Sequence, residues 1–528
     1  MELNRESLKN KVFFEKNNIS IPTYNIYDLI KNTKSSPKWV HFGGGNIFRA
    51  FIAAAQDAAI EEGRSNTGII VAETFDYEVV DRVFAKTDNL SMTAILNSKG
   101  DIDLNIIASI TESLKTDEEG LKALKEIFSN RDLQMASFTI TEKGYSLKSK
   151  GEYLPIIIND FTCGLSNVKH IMSIVTSLLY TRFKSCAKAM ALVSMDNCSH
   201  NGDKLKSSII DIAKNWLSNN LVEKEFIEYI ENNISFPFTM IDKITPRPVE
   251  EISRNLAQMG FEGMEPIETS KNTFTARFVN AEVAEYLIIE DDFPNGRPDF
   301  GNKGVLFTTR SVVNNVETMK VTTCLNPLHT ALAVYGVLLN HKTIAEEMED
   351  MELKKLVKRI GYDEGLKVVI DPKIIKPKDF IDEVINERFA NSFIKDRPER
   401  IATDTSQKVG IRFGNTIKAY VENENLKTED LMGVPLALAG WLRYLVGIDD
   451  VGNKFTLSSD PVLDENGVFK DFANVKIGDH VEVKNILKRE DIFSLDLTKI
   501  ELGERIKFYF NEMLKEKGGV RKTLQKYL

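Results

Sequence analysis

The segment Glu317-Thr318-Met319-Lys320-Val321-Thr322-Thr323-Cys324-Leu325-Asn326-Pro327-Leu328-His329 sets a glutamate, a lysine, an asparagine and a histidine into largely apolar surroundings. A lysine buried among apolar groups loses basicity and can act as general acid and base. An asparagine amide can donate to a developing alkoxide, and a histidine can orient a hydroxyl. Glu317, one helical turn before Lys320, can relay its proton. Pro327 suits the first turn of a helix and Asn326 its N-cap. The β-branched run Val321-Thr322-Thr323 argues for an extended or kinked link before that helix. Lys320 and His329 then converge only if the chain folds back near the cap. Spacing alone also describes a capped helix with a surface lysine.

Two further polar clusters follow buried apolar runs. In Ser194-Met195-Asp196-Asn197-Cys198-Ser199-His200-Asn201-Gly202, either Asn197 or Asn201 can supply a second donor to an oxyanion. His200 has no ligand partners at metal-site spacing and reads as a loop histidine. In Phe238-Thr239-Met240-Ile241-Asp242-Lys243-Ile244-Thr245-Pro246, Asp242 either anchors structure or orients a reacting group.

The turn Gly43-Gly44-Gly45-Asn46-Ile47-Phe48-Arg49 lies between a strand pattern and a helix pattern. A helix N-terminus after a glycine turn accepts a dinucleotide pyrophosphate, because glycines admit the phosphates and the N–H groups face them. Gly43, Gly45, Asn46, Ile47 and Arg49 are the candidate contacts, although Phe48 stands where a third glycine is usual. Glu73, closing the next apolar run, can accept from the adenosine ribose hydroxyls and would repel a 2′-phosphate, which favours NAD over NADP. Asp76 is near enough in sequence to share that role, and Glu142 follows another apolar run, where it can face the nicotinamide half.

These residues require particular elements beneath them. Trp39 to Phe42, Gly68 to Ala72, Ala136 to Ile140 and Ala191 to Met195 read as buried strands, with helical patterns near 46–60, 117–129, 170–187 and 203–218. Alternation of this kind predicts a mostly parallel, doubly wound sheet. From about residue 311 the pattern turns helical over His329 to Leu339, Ile344 to Ile360, Phe380 to Phe393, Val409 to Val421 and Leu431 to Val446. Gly503 to Leu528 reads as one amphipathic helix. The expected domains are therefore residues 1–310, a cofactor-binding α/β domain, and 311–528, a mainly α-helical domain, with the active site in the cleft between them.

Composition narrows the function classes. The 528 residues are 42% apolar and 27% charged, a globular balance. A net charge of −9 speaks against a general nucleic-acid binder. Cys163, Cys186, Cys198 and Cys324 form no CxxC pair, so neither a disulfide framework nor a structural zinc site is expected. The start Met-Glu-Leu-Asn-Arg-Glu lacks a signal-peptide core, and no apolar run reaches the ~20 residues of a membrane span. A cytoplasmic protein without a membrane partner is the expectation.

Taken in order, these motifs resemble the polyol-specific long-chain dehydrogenases, the mannitol dehydrogenase and hexuronate reductase family. The glycine turn is similar to that family's GxGxFHR, and Thr141-Glu142-Lys143-Gly144-Tyr145 to its TExGY. Asp196-Asn197 with Asn201-Gly202 resembles DN…NG, and Ile241-Asp242-Lys243-Ile244-Thr245-Pro246 resembles VDRITP. Lys320, Asn326 and His329 resemble its Lys…Asn-x-x-His signature, and the likeness extends beyond Pro461. The resemblance implies a Rossmann-like N-terminal domain, NAD as cofactor, no metal, and interconversion of a keto sugar or keto sugar acid with its alcohol. It makes Lys320 the general acid/base, Asn197 and Asn326 the oxyanion pocket, His329 a substrate-positioning group and Glu317 part of the proton path. The implied reaction is reduction of D-fructuronate to D-mannonate. Tagaturonate reduction, mannitol 2-dehydrogenation and, more remotely, a non-catalytic nucleotide- and sugar-binding regulator are alternatives. A substrate carboxylate needs a basic partner, for which Arg388, Arg400 and Lys408 are candidates. A small-molecule substrate and a monomer or small homo-oligomer are expected. Five residues separate Lys320 from Asn326, one more than the family pattern, so a bulge within Val321 to Leu325 must absorb the extra residue if Lys320 holds the family position.

Overall fold

The computed structural model describes residues 1–302, 304–460, 472 and 474–528; Pro461 lies outside them. The chain divides into two compact units, one of Met1–Leu96 with Asp101–Val313 and one of Asn97–Gly100 with Asn314–Leu528.

The first unit is built on six parallel strands: β1 (Trp39–Phe42), β2 (Ile69–Glu73), β3 (Ile110–Lys115), β4 (Met135–Phe138), β5 (Met190–Ser194) and β6 (Ile234–Ser235). Their spatial order is β6-β5-β4-β1-β2-β3. Strand order thus reverses between β1 and β4, and the crevice at the carboxyl ends of those two strands is where open α/β sheets take ligands. Both sheet faces are covered, which explains the near-continuous apolar strands. Val40, Phe42, Ala136, Phe138 and Leu192 enter one core. Trp39, Ile69, Val71, Met135 and Val193 enter the other.

Helices α1 (Ala53–Glu61), α2 (Glu118–Ser129), α3 (Ile171–Ser185) and α4 (Asn201–Ser218) fall where the periodicity places them. A three-stranded sheet holds β7 (Thr239–Asp242), the buried run before Lys243, with β8 (Tyr286–Glu290) and β9 (Val305–Thr308); β8, β9 and a second sheet with its strands at Ile19–Ser20, Ser91–Leu96, Ile102–Ile107 and Phe278–Glu282 have no counterpart in the sequence pattern.

Residues Arg310–Leu339 form one 30-residue helix made of three parts. These are α5 (Arg310–Met319), a π turn (Lys320–Cys324) and α6 (Asn326–Leu339). The extended or kinked link expected from Val321-Thr322-Thr323 is a wide helical turn. Pro327 has no N–H to donate and its ring crowds the carbonyl four residues earlier, so regular α-helical pairing is interrupted just before it. The helix is long and apolar enough to cross a membrane, but 72% of its apolar window is buried in the folded chain. In the second unit α6 crosses α7 (Gly433–Tyr444), where the Tyr335 hydroxyl donates to Leu436 O at 2.7 Å. A Cβ on Gly440 would lie 2.6 Å from the Tyr335 ring, so this crossing requires glycine.

The helical runs are more broken than their periodicity implies. Ile344 to Ile360 is interrupted at Asp350, whose carboxylate caps Met351–Lys358. The single terminal helix is two, α8 (Leu502–Leu514) and α9 (Gly519–Tyr527), separated by Gly518 at φ +78°. A left-handed residue ends an α-helix, and the Gly518 N–H is spent on Asp450 O at 2.7 Å.

Candidate active site

The glycine turn leaves the carboxyl end of β1. Gly43 has φ +103°, and a Cβ there would lie 2.4 Å from Thr139 O at the end of β4. A Cβ on Gly44 would strike the Phe84 ring at 2.6 Å, whereas Gly45 opens on free space. The Gly44 N–H donates to Glu73 Oε2 at 2.8 Å. Asn46 and Ile47 begin the following helix, so their N–H groups precede any intrahelical acceptor. An anion fits that mouth. The residue in place of the third glycine is explained by a stack: the Phe48 ring lies on His41 of β1 with centroids 4.1 Å apart and planes 10° off parallel. The helix opens with a π turn, Phe48–Ile52, that accommodates this ring.

Glu73 ends β2 and is buried. Its Oε1 accepts from the N–H groups of Thr74, Phe75 and Asp76 at 3.0, 3.0 and 3.3 Å. Oε2, with one donor, keeps acceptor capacity beside the glycine turn. Asp76 does not share this position, because its carboxylate accepts from Thr269 Oγ1 at 2.5 Å and the Glu78 N–H at 3.2 Å. Arg49 is a correction. Its guanidinium is wholly buried, donating to Ser91 Oγ at 3.1 Å and Ala276 O at 2.8 Å. Burial holds its pKa down at about 9. It ties the helix to the second sheet instead of facing a phosphate.

At the carboxyl ends of β4 and β5 one carboxylate organises two loops. Asp196 accepts from the Ile140 N–H (2.9 Å), the Thr141 N–H (3.0 Å) and the Tyr145 hydroxyl (2.5 Å). Burial nevertheless raises its pKa above the usual carboxylate value. Thr141 is held at φ +66°, and Glu142 beside it is exposed and paired with Lys204 of α4. The two candidate asparagines separate cleanly. Asn201 is buried, its amide donating to Thr239 Oγ1 at 2.8 Å and Thr239 O at 3.0 Å, its oxygen accepting from the Thr239 N–H at 3.1 Å. Asn197 is exposed, and no hydrogen bond among the described residues holds its amide. Asp242, at the end of β7, is buried beside Lys243, whose ammonium donates to Glu282 O at 2.7 Å and Glu285 at 2.9 Å.

In the second unit Lys320 is buried at the start of the π turn, with Glu317 one turn before it and half-buried. The Leu325 N–H donates to Lys320 O at 3.1 Å, a five-residue step that absorbs the extra residue before Asn326. Asn326 opens α6 half-buried, and its side chain is likewise uncommitted among the described residues. His329 Nε2 lies 3.0 Å from Asp396 Oδ2 but off the ring's hydrogen-bond direction. Burial lowers the His329 pKa, Asp396 opposes that, and the charges of Arg412 and Arg400 lower it further. Burial raises the Asp396 carboxyl, but the nearby His329 and the hydrogen-bonded Arg400 more than offset it.

Arg400 donates to Asp396 at 2.5 Å, and Arg412 donates to the hydroxyl of Thr330, the neighbour of His329. Lys408 is half-buried, donating to Thr403 O, and burial and the Arg412 charge lower its pKa. Arg388 is buried in the turn Val384–Arg388. Arg412 and Asp396 were not singled out from sequence. The available signal was the four-residue steps Asp396 to Arg400 and Lys408 to Arg412, a spacing at which charged side chains meet when the chain turns helically.

Residues 37–301 match the family model described as the mannitol dehydrogenase Rossmann domain, and residues 312–514 match the mannitol dehydrogenase C-terminal domain. The chain is 48% identical to a D-mannonate oxidoreductase of Thermotoga maritima, over 99% of this chain and 98% of that one. A substrate-free D-sorbitol dehydrogenase superposes with TM-score 0.82 over 99% of this chain and all of that one, at 22% identity. Mannitol 2-dehydrogenase of Pseudomonas fluorescens, in a ternary complex with NAD and D-mannitol, superposes with TM-score 0.69 at 25% identity, over 100% of this chain and 99% of that one. With both family domains matched in order across most of its length, this chain belongs to the mannitol dehydrogenase family.

Proposed function

We propose that this protein is an NAD-dependent hexuronate reductase that converts D-fructuronate and NADH to D-mannonate and NAD. The observation that carries the choice of a sugar acid over a neutral polyol is the set of cations Arg400, Lys408 and Arg412 about His329. Arg400 and Arg412 both act electrostatically on His329 and on Lys408. Such a cluster suits a substrate carboxylate, which arginine binds through two parallel hydrogen bonds. The 48% identity to the Thermotoga D-mannonate oxidoreductase supports the same choice.

Gly45, Asn46 and Ile47 would present their N–H groups to the pyrophosphate, and Glu73 Oε2 would accept from the adenosine ribose. NADH, when bound, supplies the hydride that reduces the ketone carbon. Asn197 and Asn326, the two uncommitted amides, donate to the ketone oxygen as its charge grows. The Lys320 ammonium then gives a proton to that oxygen, forming the alcohol and leaving a neutral amine. Glu317 returns a proton to Lys320 from solvent. Neutral His329, steadied by Asp396, accepts from a substrate hydroxyl, and Asp242 and Arg388 complete the substrate contacts.

The test follows NADH absorbance at 340 nm with fructuronate, tagaturonate and fructose in parallel, each repeated with NADPH. Rapid oxidation with fructuronate and NADH is the expected result. Activity with tagaturonate or fructose alone would keep the chemistry and overturn the substrate.

A further inference from the structure

Phe75 exposes 66% of its surface, unusual for a phenylalanine, at the carboxyl end of a buried parallel strand. It is not on a loose loop. Its own N–H, with those of Thr74 and Asp76, is bound to Glu73 Oε1, so the ring's backbone is fastened to the carboxylate that faces the glycine turn. The other side of the turn is fastened as well. Thr269 Oγ1 donates to Asp76, and the Ser270 N–H donates to Glu78 Oε1 at 2.9 Å, docking the hairpin that carries Lys271. Lys271 Nζ lies 5.6 Å from the Phe75 ring centroid. The backbone that carries this exposed ring is thus fastened on both sides, with a cation at one face of the ring.

Resting on the NAD reading above, we propose that Phe75 is the stacking platform for the adenine base, with Lys271 backing the ring. The geometry favours adenine over nicotinamide. The phosphate-facing turn sits on β1, and Glu73 and Phe75 lie on its β2 side. Asn197, the donor assigned to the reacting carbonyl, lies beyond β4 on the opposite side. A dinucleotide with its pyrophosphate on the turn therefore places its adenosine over β2. Stacking on an aromatic face discriminates little among bases and adds affinity without entering the chemistry.

The test uses the full-length protein and three probes: NADH, followed by the quench of protein fluorescence, and AMP and nicotinamide mononucleotide as competitors. Phe75→Ala should weaken NADH and AMP about tenfold. It should leave nicotinamide mononucleotide binding, melting temperature and kcat at saturating NADH unchanged. Phe75→Trp should restore affinity. Unchanged NADH and AMP affinity in Phe75→Ala, with wild type binding both, overturns the platform and leaves the cofactor reading standing. A wild-type protein that binds neither overturns both.

Discussion

The Leu325 N–H reaches back to the Lys320 carbonyl, 3.1 Å away, and closes a ring one residue wider than an α-helical turn. The wide turn keeps a single helix running from Arg310 to Leu339 while fitting five residues between Lys320 and Asn326 and admitting Pro327. Inserting an alanine after Val321 adds a residue beyond the one that the wide turn absorbs. Lys320 would then rotate about 100° relative to Asn326 and His329. The expected result is loss of turnover with NADH affinity intact, because the glycine turn and Glu73 belong to the first unit. Retained turnover would show that the helical phase is immaterial to the chemistry.

Lys320→Ala should lower kcat by about 10²–10⁴, the usual worth of a positioned general acid or base. Fluorescence titration should find NADH binding unchanged. Added methylamine should restore part of the rate by standing in for the missing ammonium. A near-normal kcat would remove Lys320 from the proton-transfer role.

Asn197 and Asn201 should behave oppositely although they are four positions apart. Asn197→Ala should cost about 10²–10³ in kcat with the melting temperature unmoved. Asn201→Ala should lower the melting temperature, because it strips partners from the buried Thr239 backbone and hydroxyl, at about 1–3 kcal/mol. Thermal melts and steady-state kinetics on both variants would expose any exchange of these roles.

Arg412→Gln should raise KM for a sugar acid by about tenfold or more while leaving slow activity on fructose, which has no carboxylate, little changed. Equal losses on charged and neutral substrates would argue that Arg412 only braces Thr330.

His41 gives the first unit a pH dependence. Burial among Trp39, Phe48 and the strands holds its pKa down at about 3, against an ordinary value of 6.5. Below pH 6.5 the unfolded chain binds a proton that the folded chain does not take up until about pH 3. Stability from this group is therefore complete above pH 6.5 and falls progressively toward pH 3, by roughly 3–5 kcal/mol in all. Urea melts between pH 7 and 4 should show the decline. His41→Gln, which cannot titrate, should flatten it.

Much of the scaffold is written locally in the chain. Strands β1, β2, β4 and β5 are apolar on both faces because helices cover both, and such runs are visible without a structure. So are the glycine turn, the carboxylate closing β2 and the order of the polar clusters. Strand β3 was not legible. In Ile110-Thr111-Glu112-Ser113-Leu114-Lys115 polar residues interleave the apolar ones, because this edge strand is only part-covered.

The partners of polar groups were decided by tertiary structure alone. Asn201 is spent on Thr239, 38 residues away, and Arg49 on Ala276, 227 residues away. Nothing near either residue in sequence announces the bond, so Asn201 and Arg49 both looked available for ligands. The gathering of Arg400, Lys408 and Arg412 about His329 is of the same kind. The wide turn at Lys320 lies between these cases. Its extra residue is countable in the sequence, but β-branched side chains suit an extended link as well as a helix. Only the packing of α6 as one continuous buried core helix selects the helical path. Periodicity reports what each residue prefers over a few neighbours, whereas a hydrogen bond or a charge cluster depends on which distant segments the fold brings alongside.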